Sequence, residues 1–193
     1  MVLIRNRKFA VILTVAVAVI ATMLGVYRTS VRDTRNVESM FYDGVYLREE
    51  GYTQPGIASH LRNALNAALG LETVTSGYPG LADKVGALTL ARRDLLFAAD
   101  IRAISEAFSE MTTSFAELFA AAMGENLSER DMDSSAMYNS AFSGASFAMS
   151  ASSYNDEVDG YLNNRSFIAR LIGMIVPLRE PARFSGTISP AGT

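Results

Sequence analysis

The sequence predicts an all-α protein, with an N-terminal transmembrane helix followed by an antiparallel bundle of four to five helices. Three observations carry this. Phe9 to Val26 is a run of eighteen residues without a charge, long enough at ~1.5 Å per residue to cover most of the ~30 Å hydrocarbon layer of a bilayer. From Ile57 onward, apolar residues recur at three- and four-residue spacing, the period of a helix with one buried face. No stretch alternates apolar and polar residues with the period of two that a half-buried strand requires.

Residues 1–8 form a basic leader carrying Arg5, Arg7 and Lys8, and residues 9–27 form the transmembrane helix, meeting the lipid bilayer from Phe9 to Tyr27. Ten of its residues are Leu, Ile, Val or Phe, each favouring insertion by about 0.3–0.6 kcal/mol near the bilayer centre. A cleaved signal peptide is the rival reading. It fits less well, because the apolar run exceeds the usual ~7–15 residues and Met23, Tyr27 and Arg28 stand where small residues would be needed for cleavage. With no cysteine in the chain, the acylated lipoprotein route is closed. Arg5, Arg7 and Lys8 on one flank balance Arg28, Arg32 and Arg35 on the other, so the charge rule leaves the side of the soluble body undetermined.

Residues 28–184 read as the bundle and residues 185–193 as a flexible tail. Tyr27 to Tyr42 continues the membrane helix outward until Asp43-Gly44 breaks it. Val45 to Gly56, with two glycines and a proline, reads as a loop that starts a helix after Gln54-Pro55. Ile57, Leu61, Leu65, Ala68, Leu71 and Val74 or Thr75 make one stripe, which ends at the turn Gly77-Tyr78-Pro79-Gly80.

The stripe resumes with Leu81, Val85, Leu88 and Leu95, and again with Ile101, Ile104, Phe108, Met111, Phe115, Leu118 and Ala122. This is one long helix, or two with Asp100 capping the second; Gly124 stops it. Ser128 with Asp131 resembles a capping box and opens a helix whose apolar positions are Met132, Tyr138, Ala141, Phe142 and Ala145 or Phe147. Ser143 to Ser153 is so rich in Gly, Ala and Ser that its helix is either weak or very closely packed. A short helix from Tyr154 to Leu162 precedes an apolar strap, Phe167 to Val176.

Six of the seventeen basic side chains precede residue 36 and nineteen of the twenty acidic ones follow it. An acidic body above a basic juxtamembrane segment disfavours nucleic acid as a partner and leaves Arg28, Arg32 and Arg35 to meet lipid phosphates. Thiol catalysis and disulfides are excluded by the absence of cysteine. The chain contains no Glu-x-x-His pair for a di-iron site, no HExxH, no phosphate-binding glycine loop and no GxSxG elbow. His60, the single histidine, lies beside the apolar stripe and reads as a packing residue at its boundary. Carboxylates pair at Glu49-Glu50, Glu106 and Glu110, and Asp131 and Asp133. Glu106, Glu110 and Glu117 share a helical face opposite the Phe108 stripe, so they read as solvated.

The pattern Tyr154-Asn155, Val158, Tyr161, then Phe167 with an apolar run to Gly173, then Pro177, Pro181 and Phe184, resembles the C-terminal pattern of the LemA family. Phe41-Tyr42-Asp43-Gly44-Val45 and Ala91-Arg92-Arg93-Asp94-Leu95-Leu96 are similar to other segments of it, in a divergent branch. The resemblance implies a bacterial single-pass membrane protein with a helical-bundle body and no established activity or cofactor. It also implies a short amino terminus outside the cytoplasm. The chain departs from the common form at Ile168, where a proline is usual, and at Gly44, Gly51 and Pro55, which interrupt the first bundle helix.

The expectation is therefore a membrane-anchored interaction or scaffold protein, not an enzyme, with no catalytic, cofactor-binding or metal-binding residues and no cofactor. It would meet a protein partner at the bacterial cell membrane, with homo-oligomerisation left open. The alternative is a membrane-tethered ligand or metal sensor using carboxylates such as Glu106 and Glu110.

Overall fold

A computed structural model describes residues 7–165, 170, 173 and 178–186. Among them the chain is almost entirely helical. Helix α1 (Arg7–Asp43) is followed by two short strands, β1 (Val45–Leu47) and β2 (Tyr52–Gln54), then α2 (Ile57–Thr75), a 3-10 turn at Pro79–Leu81, α3 (Ala82–Phe97), α4 (Ile101–Gly124), α5 (Glu129–Ser150) and α6 (Tyr154–Asn163). By internal packing the chain divides into two units: residues 1–38 with 157–181, and residues 39–156 with 182–193.

In the first unit, α1 is long and apolar enough to cross a membrane, and the side chains of its apolar run are unburied. The hydroxyls of Thr14, Thr22 and Thr29 each donate to the carbonyl four residues back, at 2.9–3.0 Å. That bond satisfies each hydroxyl donor within the helix itself. Further along, Thr34 is fully buried, and its Oγ1 lies 3.2 Å from the Tyr161 hydroxyl and 3.0 Å from the Arg179 carbonyl. Arg179 in turn donates from Nη2 to Glu38 at 3.0 Å.

The second unit holds the core. Helix α1 ends because Gly44 adopts φ +97°, and a Cβ there would sit 2.1 Å from the Gln54 carbonyl oxygen. Both facts require glycine. The segment expected as a plain loop is instead a β-hairpin pairing Val45 with Gln54 and Leu47 with Tyr52, turned by Gly51 at φ +72°. Three residues per strand are too few to display an alternation in sequence. Gln54 then spans to the end of α5, donating to the Ala151 carbonyl at 3.2 Å and accepting from the Ser153 amide at 2.9 Å.

Helices α3 and α4 are separate. The Asp100 carboxylate accepts from the Ala103 amide at 2.9 Å, satisfying a donor that the helix leaves open. Helix α4 buries Ile101, Phe108, Met111, Phe115, Leu118 and Ala122. Helix α2 buries Ile57, Leu61, Ala68, Leu71 and Thr75 as expected, and Ala64, Ala67 and Glu72 besides. Leu65 is only half-buried.

Helix α5 buries Phe142 and Ala145 as expected but otherwise departs from its expected face. Met132, Ala141 and Phe147 are exposed, Tyr138 is half-buried, and the buried positions are Ser135, Phe142, Ala145, Ser146 and Met149. Two of the five are serines, so the stripe is invisible to a search for apolar periodicity. The Gly/Ala/Ser-rich end does form helix, and it packs closely against α2: the Tyr138 ring lies over Gly70, where a Cβ would meet it at 2.2 Å.

Six aromatic rings from distant parts of the chain touch in series. Tyr154 meets Phe41 edge-on at 5.5 Å between centroids; Phe41 meets Phe184, Phe184 meets Phe108, Phe108 meets Phe142, and Phe142 stacks on Phe115 at 4.0 Å. Offset and edge contacts of this kind add to what area burial supplies. Asn155 fixes Phe184 in the middle of the series: its Nδ2 donates to the Phe184 carbonyl at 2.8 Å and its Oδ1 accepts the Phe184 amide at 3.0 Å. Residues 185 and 186, expected within the flexible tail, are held in place. Ser185 donates its amide to Ser105 Oγ at 2.9 Å, and Gly186 is buried close to the Phe184 and Phe108 rings. Most of the Phe167 to Val176 strap, with Pro177 and residues 187–193, lies outside the described residues.

Candidate functional site

The carboxylates singled out by sequence do not converge. Glu106 and Glu110 are exposed on α4, and Glu117 is drawn to Lys84 of α3 at 2.5 Å. Glu50 sits in the hairpin turn, where it raises the pKa of the Tyr52 phenol by hydrogen bonding and charge. Asp131 accepts from the Tyr78 hydroxyl at 2.6 Å and from Ser128 Oγ at 2.7 Å. Those two bonds hold its carboxyl below the ordinary carboxylate range. The Tyr78 oxygen also accepts the Ser128 amide at 3.1 Å, so the group ties the Gly77–Gly80 turn to the start of α5. It is a structural latch. Among the described residues, no three His, Asp or Glu side chains come close enough to share a metal ion.

His60 is half-buried in a groove of about 470 Å³ between α2 and α5, beside Asn63, Asn66 and Tyr138. Among the described residues no carboxylate lines that groove beside the imidazole. The ion pair that sequence did not single out is Glu72 with Arg92. The guanidinium bonds both carboxylate oxygens, at 2.9 and 3.1 Å, and Glu72 is 8 % exposed in its side chain. A glutamate inside an apolar stripe was its sequence signal.

A larger groove, about 700 Å³, lies in the unit that contains the apolar part of α1. Thr22, Gly25, Thr29 and Asp33 stand on one face of α1 at three- and four-residue spacing, and Gly160, Tyr161 and Arg165 line the opposite wall. Tyr161 fixes that wall, its hydroxyl lying 3.3 Å from the Ser30 carbonyl as well as near Thr34. Arg165 is 12 % exposed in its side chain and lies 5.6 Å over the Tyr161 ring, with Nη1 bonded to Glu180 at 2.6 Å. Its Nε and Nη2 are buried without a hydrogen-bond partner. Buried donors left unmatched cost free energy, so such groups mark places where a ligand can bind.

No family model, curated protein or solved structure matches the chain. Chemically, then, the site's own geometry has to speak. The larger groove is apolar at the Thr22 to Val26 end and carries opposite charges, Arg165 against Asp33 and Glu157, elsewhere along its walls.

Proposed function

We propose that the protein is a single-pass membrane protein whose helical body presents an interaction surface at the bacterial cell membrane. The observation that carries the reading is α1, which is apolar and unburied over Phe9 to Val26 and runs without a break to Asp43. Exposed Val, Ile and Leu in such number are unfavourable in water and favourable in hydrocarbon. The resemblance to LemA supports the same reading, and the paired hydrogen bonds of Asn155 to Phe184 give its C-terminal pattern a physical sense. A body whose carboxylates are dispersed suits a scaffold better than an enzyme.

The cysteine-free chain makes the test direct. Glu110→Cys, on the exposed face of α4, is labelled in intact cells with a membrane-impermeant maleimide, and the membranes are then washed at alkaline pH. Retention in the washed membrane is expected. Release by the wash would sink the anchor, whatever the labelling shows. Labelling of intact cells puts the body outside; labelling only after lysis puts it in the cytoplasm. A photo-crosslinker at the same position is expected to capture a discrete protein band, and its absence would remove the scaffold reading.

A further inference from the structure

The groove between α1 and α6 is placed where α1 passes from apolar to charged sequence. Its lining begins at Thr22, Gly25 and Val26, within the run that carries no charge, and continues to Asp33 and Val37. Asp33 stands seven residues past Val26, roughly 10 Å along the axis. If α1 spans the bilayer, as proposed above and on which this inference rests, the groove starts among the acyl chains and crosses the headgroup layer, about 5–7 Å thick on each side, to Asp33 at its outer edge.

Its charges are ordered along that direction. Helix α6 runs from Tyr154, whose ring meets Phe41, to Tyr161, whose hydroxyl meets Thr34 and Ser30, so it descends antiparallel to α1. Glu157 precedes Tyr161 by one turn and Arg165 follows the end of α6, so the backbone at Arg165 leads toward the apolar end, with its guanidinium 5.6 Å over the Tyr161 ring. Glu180 takes only Nη1 of Arg165, leaving Nε and Nη2 unmatched. The guanidinium fork fits a phosphate in bidentate fashion. Asp33 has only a loose contact with Arg32 at 3.9 Å, and Glu157 forms no ion pair among the described residues.

We propose that this groove binds one aminophospholipid of the phosphatidylethanolamine class, with its phosphate on Arg165, its ammonium between Asp33 and Glu157, and an acyl chain along Thr22, Gly25 and Val26. A headgroup with no cation would set its negative charge among two carboxylates, and a trimethylated ammonium has no N–H to donate to them. The volume of about 700 Å³ lies within the ~300–1,000 Å³ of small-molecule sites. A Cβ added at Gly25 or Gly160 meets nothing within 4 Å, so the space beside both glycines is open.

The test uses the full-length chain, delipidated in neutral detergent and presented with phosphatidylethanolamine, phosphatidylglycerol or phosphatidylcholine of identical acyl chains, with bound lipid counted by native mass spectrometry. One phosphatidylethanolamine per chain is expected, with Kd at least tenfold below the other two. Arg165→Gln should weaken it tenfold or more, and the Asp33→Asn/Glu157→Gln pair should remove the preference over phosphatidylglycerol. Gly25→Leu puts a branched side chain into the groove at a position whose Cβ meets nothing within 4 Å, and should abolish lipid retention while leaving the thermal melt of the body unchanged. Equal retention of the three lipids, or a Gly25→Leu chain that still retains phosphatidylethanolamine, overturns the proposal. So does soluble phosphoethanolamine binding as tightly as the lipid. An alkaline wash of the source membranes separates the two readings: release refutes the anchor, whereas an embedded chain without lipid preference refutes only the groove.

Discussion

Asn155 makes both halves of an amide exchange with the Phe184 backbone. Asn155→Ala leaves the Phe184 amide and carbonyl without their partner beside a buried ring. We expect a loss of about 1–3 kcal/mol, read as a lower thermal midpoint; Asn155→Asp, which keeps the acceptor but not the donor, should lose less. Asp131 makes a pH prediction. Its folded pKa is depressed by Tyr78 and Ser128, so its contribution to stability is complete above the unfolded carboxylate pKa and disappears as pH falls through the lower folded value. The melting temperature should therefore drop as pH falls below about 4, and Tyr78→Phe should flatten that part of the profile. An unchanged profile in Tyr78→Phe would show that the hydroxyl does not hold the carboxylate. The Ser128–Asp131 cap was legible in sequence; that Asn155 binds Phe184 and that Asp131 binds Tyr78 was not. A single Asn or Tyr announces its partner only when the fold brings a distant backbone to it.

At the scale of elements, helices α2 and α3 are joined by a charge pair inside an otherwise apolar contact, Glu72 with Arg92. Removing one member strands the other: Arg92→Met should cost about 3–5 kcal/mol, because a buried carboxylate is left without a cation. The double change Glu72→Leu/Arg92→Met should recover most of that loss, since apolar replacements of a buried pair are often neutral or better. A double variant as unstable as the single one would show that the pair is not what joins the helices. Element boundaries followed from the chain wherever a turn residue or cap stood there, at Gly44, Pro79, Asp100, Gly124 and Ser128. The face of α5 did not follow, because Ser135 and Ser146 are buried while Phe147 and Met132 are not. Packing against α2 needs small side chains more than apolar ones there, and a hydrophobicity pattern cannot register size. The hairpin after α1 was missed for a different reason: its strands are stabilised by tertiary neighbours such as Gln54 with Ala151 and Ser153, not by their own composition.

For the whole molecule, the anchor and the aromatic series should behave independently. Deleting residues 1–27 is expected to yield a soluble body that melts cooperatively, because the aromatic series and its apolar surroundings lie beyond residue 38. In that body Phe108→Asp should abolish the cooperative melt, since it would place an unpaired charge between the Phe142 and Phe184 rings. A soluble, cooperatively melting Phe108→Asp body would relocate the core. By itself the sequence determined the all-α class, the long apolar N-terminal helix and most helix limits, because hydrophobic period, chain length and turn chemistry are local and can be read residue by residue. Only the tertiary structure decided which face α5 buries, that Asn155 closes on Phe184, that Glu72 finds Arg92 and that Arg165 bonds Glu180 through Nη1 alone, leaving Nε and Nη2 unmatched in a groove. Each of those depends on backbone or charge brought from far along the chain, and no local pattern encodes the distance it must travel.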